Sequence, residues 1–282
     1  MSMIENRRKP VLEGKNINVR FGDGCDYCKE HKELEKGRCP VCNTIWAVRD
    51  VNFQLYEGEI LGIVGESGSG KSTLLKSLYF DQPVTSGEAY LTLYQDGEVN
   101  IYDSSSQNKR YLRNHMMGMV YQNPMLGLRM GLSSGANVAE KLIAAGERNT
   151  GNMIERCETL LRHVEIPVER MKDAPKVFSG GMQQRVQISK ALANNPPILF
   201  LDEVTTGLDL SVQAKVLDLI RTIQQELGIA MMIVSHDLAV IRMMADRTMV
   251  MLGGRVVEEG LTDQILEDPL HEYTQTLVSS LL

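Results

Sequence analysis

The chain has 282 residues, of which 43% are hydrophobic and 23% charged, and its formal net charge is −6 at pH 7. A chain of this length can bury a full core without disulfide support, and an acidic balance does not favour sequence-independent binding of nucleic acid. No apolar run approaches the roughly 18 residues that a membrane span requires, and the first ten residues lack the apolar stretch of a secretory signal. We therefore expect a cytoplasmic protein that does not bind nucleic acid and does not insert into a membrane.

The first part of the chain consists mainly of short apolar or alternating runs, which are typical of β-strands. Strands are predicted over residues 11–21, 47–56, 60–64 and 88–93. Only turns and one helix fit between these runs. The pattern therefore predicts a mixed sheet with antiparallel strands in this region.

The periodicity changes to a helical one after the predicted strand at 116–121. Helices are predicted over 137–145 and 153–164, so residues 124–178 read as an inserted helical subdomain. From Pro197 onward, apolar strands alternate with helices, which is the pattern of a parallel sheet covered on both faces. The predicted strands are 198–201, 230–234 and 247–252, and the predicted helices are 210–227 and 238–245. The expected fold is α/β, with a ligand at the carboxyl ends of the parallel strands.

A glycine-rich segment, GESGSGKS, follows the predicted strand at 60–64 directly. Its glycines let successive backbone N–H groups turn inward around an anion, and the helix that follows points its positive end at the same charge. Lys71 would reach the β- and γ-phosphates, and Ser72 would offer a hydroxyl to Mg²⁺. A chance match is the alternative, but the order of strand, loop and helix argues against it. The predicted ATP-binding residues here are Gly65, Glu66, Ser67, Gly68, Ser69, Gly70, Lys71, Ser72 and Thr73.

Two adjacent carboxylates, Asp202 and Glu203, end the apolar strand at 198–201. A buried strand rarely tolerates such charges unless they face a site. Asp202 is predicted to hold Mg²⁺, directly or through water, and Glu203 to act as the general base toward the attacking water. The alternative is that both carboxylates are simply exposed at the strand end.

Four further segments accompany these residues in a fixed order: Gln122 after a strand, Phe178–Arg185 (FSGGMQQR), Gly207–Asp209, and Ser235–Asp237 after another strand. Together with the phosphate loop they resemble the ATP-binding cassette family over nearly the whole chain. The resemblance implies a P-loop ATPase fold with an antiparallel β subdomain and a helical subdomain. It also implies a homodimer that encloses two ATP molecules and hydrolyses them.

The family pattern implies roles for individual residues. Ser179, Gly180 and Gly181, at the start of a helix, would meet the γ-phosphate bound to the opposite subunit. Gln122 would contact Mg²⁺ and the attacking water, His236 would bind the γ-phosphate and brace Glu203, and Asp209 would bridge the two subunits. Val204 and Met182 depart from the usual family residues, but neither replaces a phosphate or metal ligand.

Four of the five cysteines form two C-x-x-C pairs, separated by ten residues. Thiolates at this spacing suit a tetrahedral structural zinc site, with an iron–sulfur cluster or a redox dithiol as alternatives. The predicted ligands are Cys25, Cys28, Cys39 and Cys42, within an inserted knuckle at residues 22–45. His31 is a spare ligand candidate that we expect to be solvated, and Cys157 is expected to be a packed thiol.

This insertion follows the position where cassette proteins usually carry an aromatic ring that stacks on adenine. Phe21 matches that position, with Trp46 and Tyr27 as rivals. The knuckle would either close over the base or serve as a docking knob for another protein, and the second role is favoured.

The tail from Asp268 to Leu282 resembles the end of cassettes that serve peptide and nickel importers, so residues 262–282 are expected to be a C-terminal extension. Within that group, the segments 122–129, 134–137, 164–170 and 178–185 resemble cassettes of carbon–phosphorus lyase systems. This resemblance implies a soluble ATPase that docks on core subunits of a phosphonate-degrading complex, including a radical S-adenosylmethionine iron–sulfur enzyme. An importer ATPase is the rival, and a purely structural docking module is disfavoured by Glu203 and His236.

Overall fold

The computed structural model describes residues 9–30 and 34–279. Its strands are β1 (Leu12–Phe21), β2 (Ile45–Leu55), β3 (Ile60–Val64), β4 (Ser86–Leu91), β5 (Met117–Val120), β6 (Ile198–Asp202), β7 (Ala230–Val234), β8 (Arg247–Leu252) and β9 (Arg255–Leu261). Its helices are α1 (Asp26–Glu30), α2 (Lys71–Leu78), α3 (Ser106–His115), α4 (Pro124–Gly127), α5 (Ser134–Ala144), α6 (Thr150–His163), α7 (Gly180–Ala191), α8 (Leu210–Leu227), α9 (Leu238–Met244), α10 (Thr262–Glu267) and α11 (Glu272–Ser279). Within the described part of the chain, no helix combines the length and hydrophobicity needed to cross a membrane.

The strands form two sheets. A three-stranded antiparallel sheet has the order β2-β1-β4, and a six-stranded sheet has the order β5-β6-β7-β3-β8-β9. The larger sheet is parallel except at its edge, where β9 runs antiparallel to β8. The antiparallel strands expected in the first part of the chain are confirmed, but they do not form a mixed sheet with β3, because β3 joins the parallel sheet while β1, β2 and β4 form a sheet of their own.

The larger sheet is buried on both faces. Alternate residues of β6 point to opposite sides: Ile198 and Phe200 join the apolar cluster under the antiparallel sheet, whereas Leu199 and Leu201 join the cluster under the helices. Strands buried on both faces read as unbroken apolar runs, which is why they were predicted from the sequence. All these parallel strands end at the same edge, where the phosphate loop also lies.

The helices of the expected helical subdomain begin earlier than predicted. Helix α5 begins at Ser134 and α6 at Thr150, each three residues before the predicted start. Polar side chains explain the difference, since Ser133 accepts a hydrogen bond from the Ala136 N–H, and Asn149 accepts two, from Gly151 and Asn152. The apolar periodicity begins only after these first turns. The antiparallel sheet and the helical segment together confirm the predicted fold class.

Candidate functional site

The phosphate loop is a tight, left-handed turn between β3 and α2. Gly65, Gly68 and Gly70 have φ values of 145°, 85° and 102°. A Cβ on Gly70 would overlap the Ala47 carbonyl oxygen, and one on Gly65 would overlap that of Met251. The two glycines therefore let neighbouring backbone approach the loop closely, and the left-handed backbone lets the loop turn around an anion.

Lys71 is held inside this loop. Its Nζ donates hydrogen bonds to the carbonyl oxygens of Gly65 at 2.7 Å and Glu66 at 2.8 Å. Burial lowers the pKa of Lys71, whereas the nearby charges of Glu203 and Asp202 raise it and offset part of this effect. An ammonium group that is partly desolvated and already oriented is well placed to bind the phosphates of a nucleotide.

Ser72 and Asp202 lie side by side, as a magnesium site requires. The Ser72 hydroxyl donates to Asp202 Oδ1 at 2.5 Å, and Lys76 Nζ is 3.9 Å from the other carboxylate oxygen. Burial raises the pKa of Asp202, while the Ser72 hydrogen bond lowers it. Two hard oxygen donors at the mouth of the phosphate loop fit Mg²⁺, which binds proteins through one or two such groups.

The Glu203 carboxylate is the meeting point of three polar side chains. Its Oε2 accepts hydrogen bonds from Gln122 Nε2 at 2.9 Å and from the Thr206 hydroxyl at 3.2 Å. The Nδ1 atom of His236 lies 3.2 Å from the same oxygen. These contacts bring the predicted residues Gln122, Glu203 and His236 together, and they fix the direction in which the carboxylate points.

The backbone of Glu203 is also unusual. Its φ of 46° lies in the left-handed region, which costs a residue with a Cβ roughly 1–2 kcal/mol. The Glu203 N–H donates to the Val234 carbonyl oxygen at 3.0 Å and the Glu203 carbonyl accepts from Thr206. The backbone thus bends away from the sheet right after Asp202, so that the two adjacent carboxylates can face one site. Backbone strain of this kind is concentrated at functional positions.

The FSGG segment begins helix α7. The Ser179 hydroxyl accepts a hydrogen bond from the Met182 N–H, as expected of an N-cap residue. Gly181 is needed there because a Cβ would overlap Val212 in the first turn of α8. Helix α7 ends at Ala191. Ser179 and Gly180 are exposed at its start, whereas Gly181 is buried.

Asp209 has a structural role in this conformation. It caps helix α8 by accepting from the Val212 N–H at 3.0 Å, and the Ser211 hydroxyl donates to it at 2.8 Å. These contacts, that of Ser211 foremost, lower the pKa of Asp209. Its neighbours Leu208 and Val212 lie against Gly180 and Gly181 at the start of α7. The roles of Ser179, Gly180, Gly181 and Asp209 across a dimer stay predictions.

The aromatic candidates for adenine stacking differ in exposure. Phe21, at the end of β1, is 46% exposed, and Tyr27 is 39% exposed. Trp46 is buried between the guanidinium groups of Arg20 and Arg49. Phe21 and Tyr27 offer ring faces to a ligand and Trp46 does not, so Phe21 remains the prediction for the adenine contact.

The four paired cysteines converge on one point. Their sulfur atoms all lie within 4.8 Å of one another, with 3.7 Å between Cys25 and Cys39 and 3.9 Å between Cys28 and Cys42. A tetrahedron of Zn–S bonds of about 2.3 Å has edges of about 3.8 Å, so this arrangement fits zinc. The Thr44 hydroxyl contact lowers the pKa of Cys42 to about 6, which favours the thiolate form that binds metal. His31 lies outside the described residues, and Cys157 is buried, as predicted.

Three residues at the site were missed by sequence reasoning. Thr206 contacts Glu203, Lys76 faces Asp202, and the Tyr273 hydroxyl accepts a hydrogen bond from the Glu66 N–H. Thr206 could have been suspected, because a hydroxyl three residues beyond a strained turn often bonds back to it. Nothing in the local sequence pattern identifies Tyr273, which lies 207 positions from Glu66.

Known proteins are similar to this chain in sequence and in fold. Residues 48–206 match the family described as ABC transporter. The chain is 50% identical over 238 residues to the phosphonates utilization ATP-binding protein PhnK of Escherichia coli, a match that covers 83% of this chain and 90% of that protein. It is 37% identical over 244 residues to the oligopeptide transport ATP-binding protein OppD of Bacillus subtilis, covering 84% of this chain and 67% of that one.

A peptide import ATP-binding protein of Brucella abortus is 38% identical over 280 residues, 99% of this chain and 79% of its own length. Among solved structures, the dimeric, post-hydrolysis state of the ATP-binding cassette MJ0796 bound to ADP and Pi superposes with a TM-score of 0.74 at 29% identity, covering 89% of this chain and 98% of that one. With the phosphate loop, the paired carboxylates and their polar neighbours in place, the chain belongs to the ABC transporter family, as an ATP-binding cassette ATPase.

Proposed function

We propose that two copies of this chain enclose and hydrolyse ATP, and that the cycle of closing and opening remodels a phosphonate-degrading carbon–phosphorus lyase complex in the cytoplasm. The assignment to a phosphonate-degrading complex rests on one observation. The chain is 50% identical to a phosphonates utilization ATP-binding protein, but only 36–38% identical to peptide transport proteins. The partners would be core subunits of that complex, including a radical S-adenosylmethionine iron–sulfur enzyme. The cleavage of the carbon–phosphorus bond would not take place on this chain.

The contacts at Glu203 support the hydrolytic assignment. Its carboxylate is oriented by Gln122, Thr206 and His236, which leaves its second oxygen available to accept a proton from an attacking water. Asp202, Ser72 and Gln122 would hold Mg²⁺, which neutralises phosphate charge when bound. His236, whose side chain is 59% exposed, would reach the γ-phosphate. The loop from Gly65 to Thr73 would bind the remaining phosphate oxygens.

The exposed residues at the start of α7 and beside Asp209 support dimerisation. Ser179 and Gly180 are exposed at the start of α7, and Leu210 beside Asp209 is 83% exposed. A helix start of this kind favours an anion, which a second copy with bound ATP would provide. The similarity to a dimeric cassette bound to ADP and Pi supports the same arrangement.

A polar cleft beside Gln122 supports a partner contact. The cleft has a volume of about 470 Å³ and is lined on one side by Tyr121, Leu126 and Gly127, which flank Gln122 in the chain. On the other side it is lined by basic residues of α3, including Lys109, Arg110 and Arg113. A partner segment bound in the cleft would contact Tyr121, next to Gln122, and would thereby affect the position of Gln122 and of the Glu203 carboxylate that Gln122 contacts. The partner would in this way sense the nucleotide state.

Zinc in the four-cysteine cluster and Phe21 against adenine complete the proposal. The cluster sits in a knuckle with a small apolar core of its own, formed by Cys28, Cys39 and Trp46. A bound metal would supply the folding free energy that so small a core lacks.

The alternative function is the ATPase subunit of a peptide or nickel importer. It is favoured by one observation, because the Brucella abortus peptide import relative matches 99% of this chain, including its ends, whereas the phosphonates relative matches 83%.

Co-purification separates the two functions. The chain, tagged at its natural locus, is expected to bring down phosphonate-degrading subunits from the soluble fraction, and its deletion should abolish growth on a phosphonate as the only phosphorus source while leaving growth on phosphate unchanged. Recovery with multispanning membrane proteins, together with normal growth on phosphonate, would favour the importer.

A further inference from the structure

The C-terminal part of the chain reaches back to the phosphate loop at three points. The Met251 carbonyl of β8 packs against Gly65, and the Gly254 N–H donates to the Ser69 carbonyl at 3.1 Å. The third contact involves a side chain, because the Glu66 N–H donates to the hydroxyl oxygen of Tyr273 at 2.7 Å. The first two contacts are made by backbone and by close packing, whereas the third depends on a single oxygen atom.

Tyr273 is held in place by its own surroundings. The Glu258 carboxylate of β9 accepts the N–H groups of Leu270 at 2.8 Å and His271 at 3.1 Å, which secures the start of α11. The Tyr273 N–H donates to His271 Nδ1 at 3.1 Å, and the ring packs against the helix-side apolar cluster. Burial raises the pKa of Tyr273, so the hydroxyl stays neutral. The oxygen that Glu66 contacts is therefore at a defined position.

We propose that Tyr273 is a positioning residue for ATP binding, which acts by holding the exposed entrance of the phosphate loop in its anion-binding shape. Glu66 follows Gly65, and its carbonyl oxygen accepts hydrogen bonds from Lys71 Nζ and from the Ser69 N–H, so the bond to Tyr273 fixes the remaining polar backbone group of this residue. A loop that is ordered before the nucleotide arrives loses less conformational entropy when it binds. The C-terminal extension thus contributes to the nucleotide site without touching the nucleotide.

The test is Tyr273→Phe, which removes the hydroxyl and keeps the ring. The matched control is Thr276→Ala on the same helix, because the Thr276 hydroxyl donates to the Glu272 carbonyl one turn earlier, a contact within α11 itself. Loss of one hydrogen bond that preorganises the loop should raise the KM for MgATP and the calorimetric Kd for MgADP roughly three- to tenfold. The kcat should stay within about twofold, and the midpoint of thermal unfolding should match that of Thr276→Ala.

Three outcomes would overturn the proposal. An unchanged KM and Kd would show that the contact does not order the loop. A fall in kcat alone would assign the hydroxyl to the chemical step instead of to binding. Equal changes of KM in Tyr273→Phe and Thr276→Ala, accompanied by equal losses of thermal stability, would show that only the integrity of α11 matters.

Discussion

At the residue scale, Glu203 combines a strained backbone with a side chain that three groups orient. Glu203→Gln keeps the shape of the side chain and its contact with Thr206, but an amide cannot accept the proton of the attacking water. We expect turnover to fall by about 10² to 10⁴, while ATP-bound dimers accumulate because hydrolysis no longer separates them. Phosphate release and size-exclusion chromatography with MgATP measure both effects.

The control is Glu226→Gln on the exposed face of α8, which changes the same functional group away from the site. It should hydrolyse ATP at the normal rate. Hydrolysis retained by Glu203→Gln would mean that another group activates the water, and a variant that stays monomeric with MgATP would contradict the shared-site proposal.

Lys76 and Asp202 give a prediction on pH. Lys76 lowers the pKa of Asp202, so Lys76→Met should raise that pKa further above its ordinary value. The carboxylate must be ionised to bind Mg²⁺, and protonation increases as the pH falls through the raised pKa. The Mg²⁺ concentration for half-maximal ATPase activity should therefore increase in Lys76→Met, and it should increase more at pH 6 than at pH 8. Lys215→Met on α8 is the control, and an equal increase at both pH values would exclude the carboxylate as the cause.

Sequence was informative at this scale wherever a polar residue follows an apolar strand directly. Asp202, Glu203 and Gln122 lie at such positions, and the parallel sheet brings them to one edge. Lys76 and Tyr273 lie on helices, and which atoms they meet depends on the packing of segments far apart in the chain. The local sequence pattern therefore does not show which residues Lys76 and Tyr273 contact.

At the scale of elements, local chemistry determined which segments were predicted. Strands β6 and β7 are uninterrupted apolar runs and were found, whereas β9 reads RVVEEGL and lies exposed at the sheet edge, where polar residues are tolerated. Helix α3 was not predicted because it buries only Leu112 and has almost no apolar stripe. Its Ser105 N-cap was the one available signal.

The cysteine knuckle is the element whose stability should depend on metal. Cys39→Ser removes one of four sulfur ligands, and we expect about one equivalent of zinc per chain to be lost and the knuckle to unfold first, because metal binding supplies on the order of 10 kcal/mol to such segments. Cys157→Ala, which alters the buried thiol outside the cluster, should retain the zinc. Elemental analysis and limited proteolysis provide the measurements. Iron and sulfide in place of zinc, or equal metal contents in both variants, would contradict the assignment.

At the scale of the whole molecule, the partition of strands into two sheets was not predictable from local pattern. Strands β2 and β3 are separated by a short turn, yet they belong to different sheets. Pairing is decided by long-range burial, since the cluster between the sheets needs apolar residues from both. The order of motifs predicted the family, and only the three-dimensional fold shows which surfaces the motifs leave exposed.

One such surface is the polar cleft beside Gln122, whose lining includes the basic residues of α3. Reversing two charges, with Lys109→Glu and Arg110→Glu together, should weaken recovery of the partner complex at least tenfold while the isolated ATPase rate stays within about twofold, because both residues line the cleft and are not among those predicted to bind nucleotide. Lys215→Glu on α8 serves as the control for altered net charge. Undiminished recovery of partners by the double variant would place the docking surface elsewhere.

The chain contains a single tryptophan, Trp46, and its position has a practical consequence. The indole packs against Cys28 and Cys39 on one side, and the next residue, Ala47, lies against Gly70 of the phosphate loop. Intrinsic fluorescence excited at the indole band therefore arises from one place, between the thiol cluster and the nucleotide. Loss of the proposed metal and binding of nucleotide should each change the emission of the unlabelled protein, without a dye or an added chromophore.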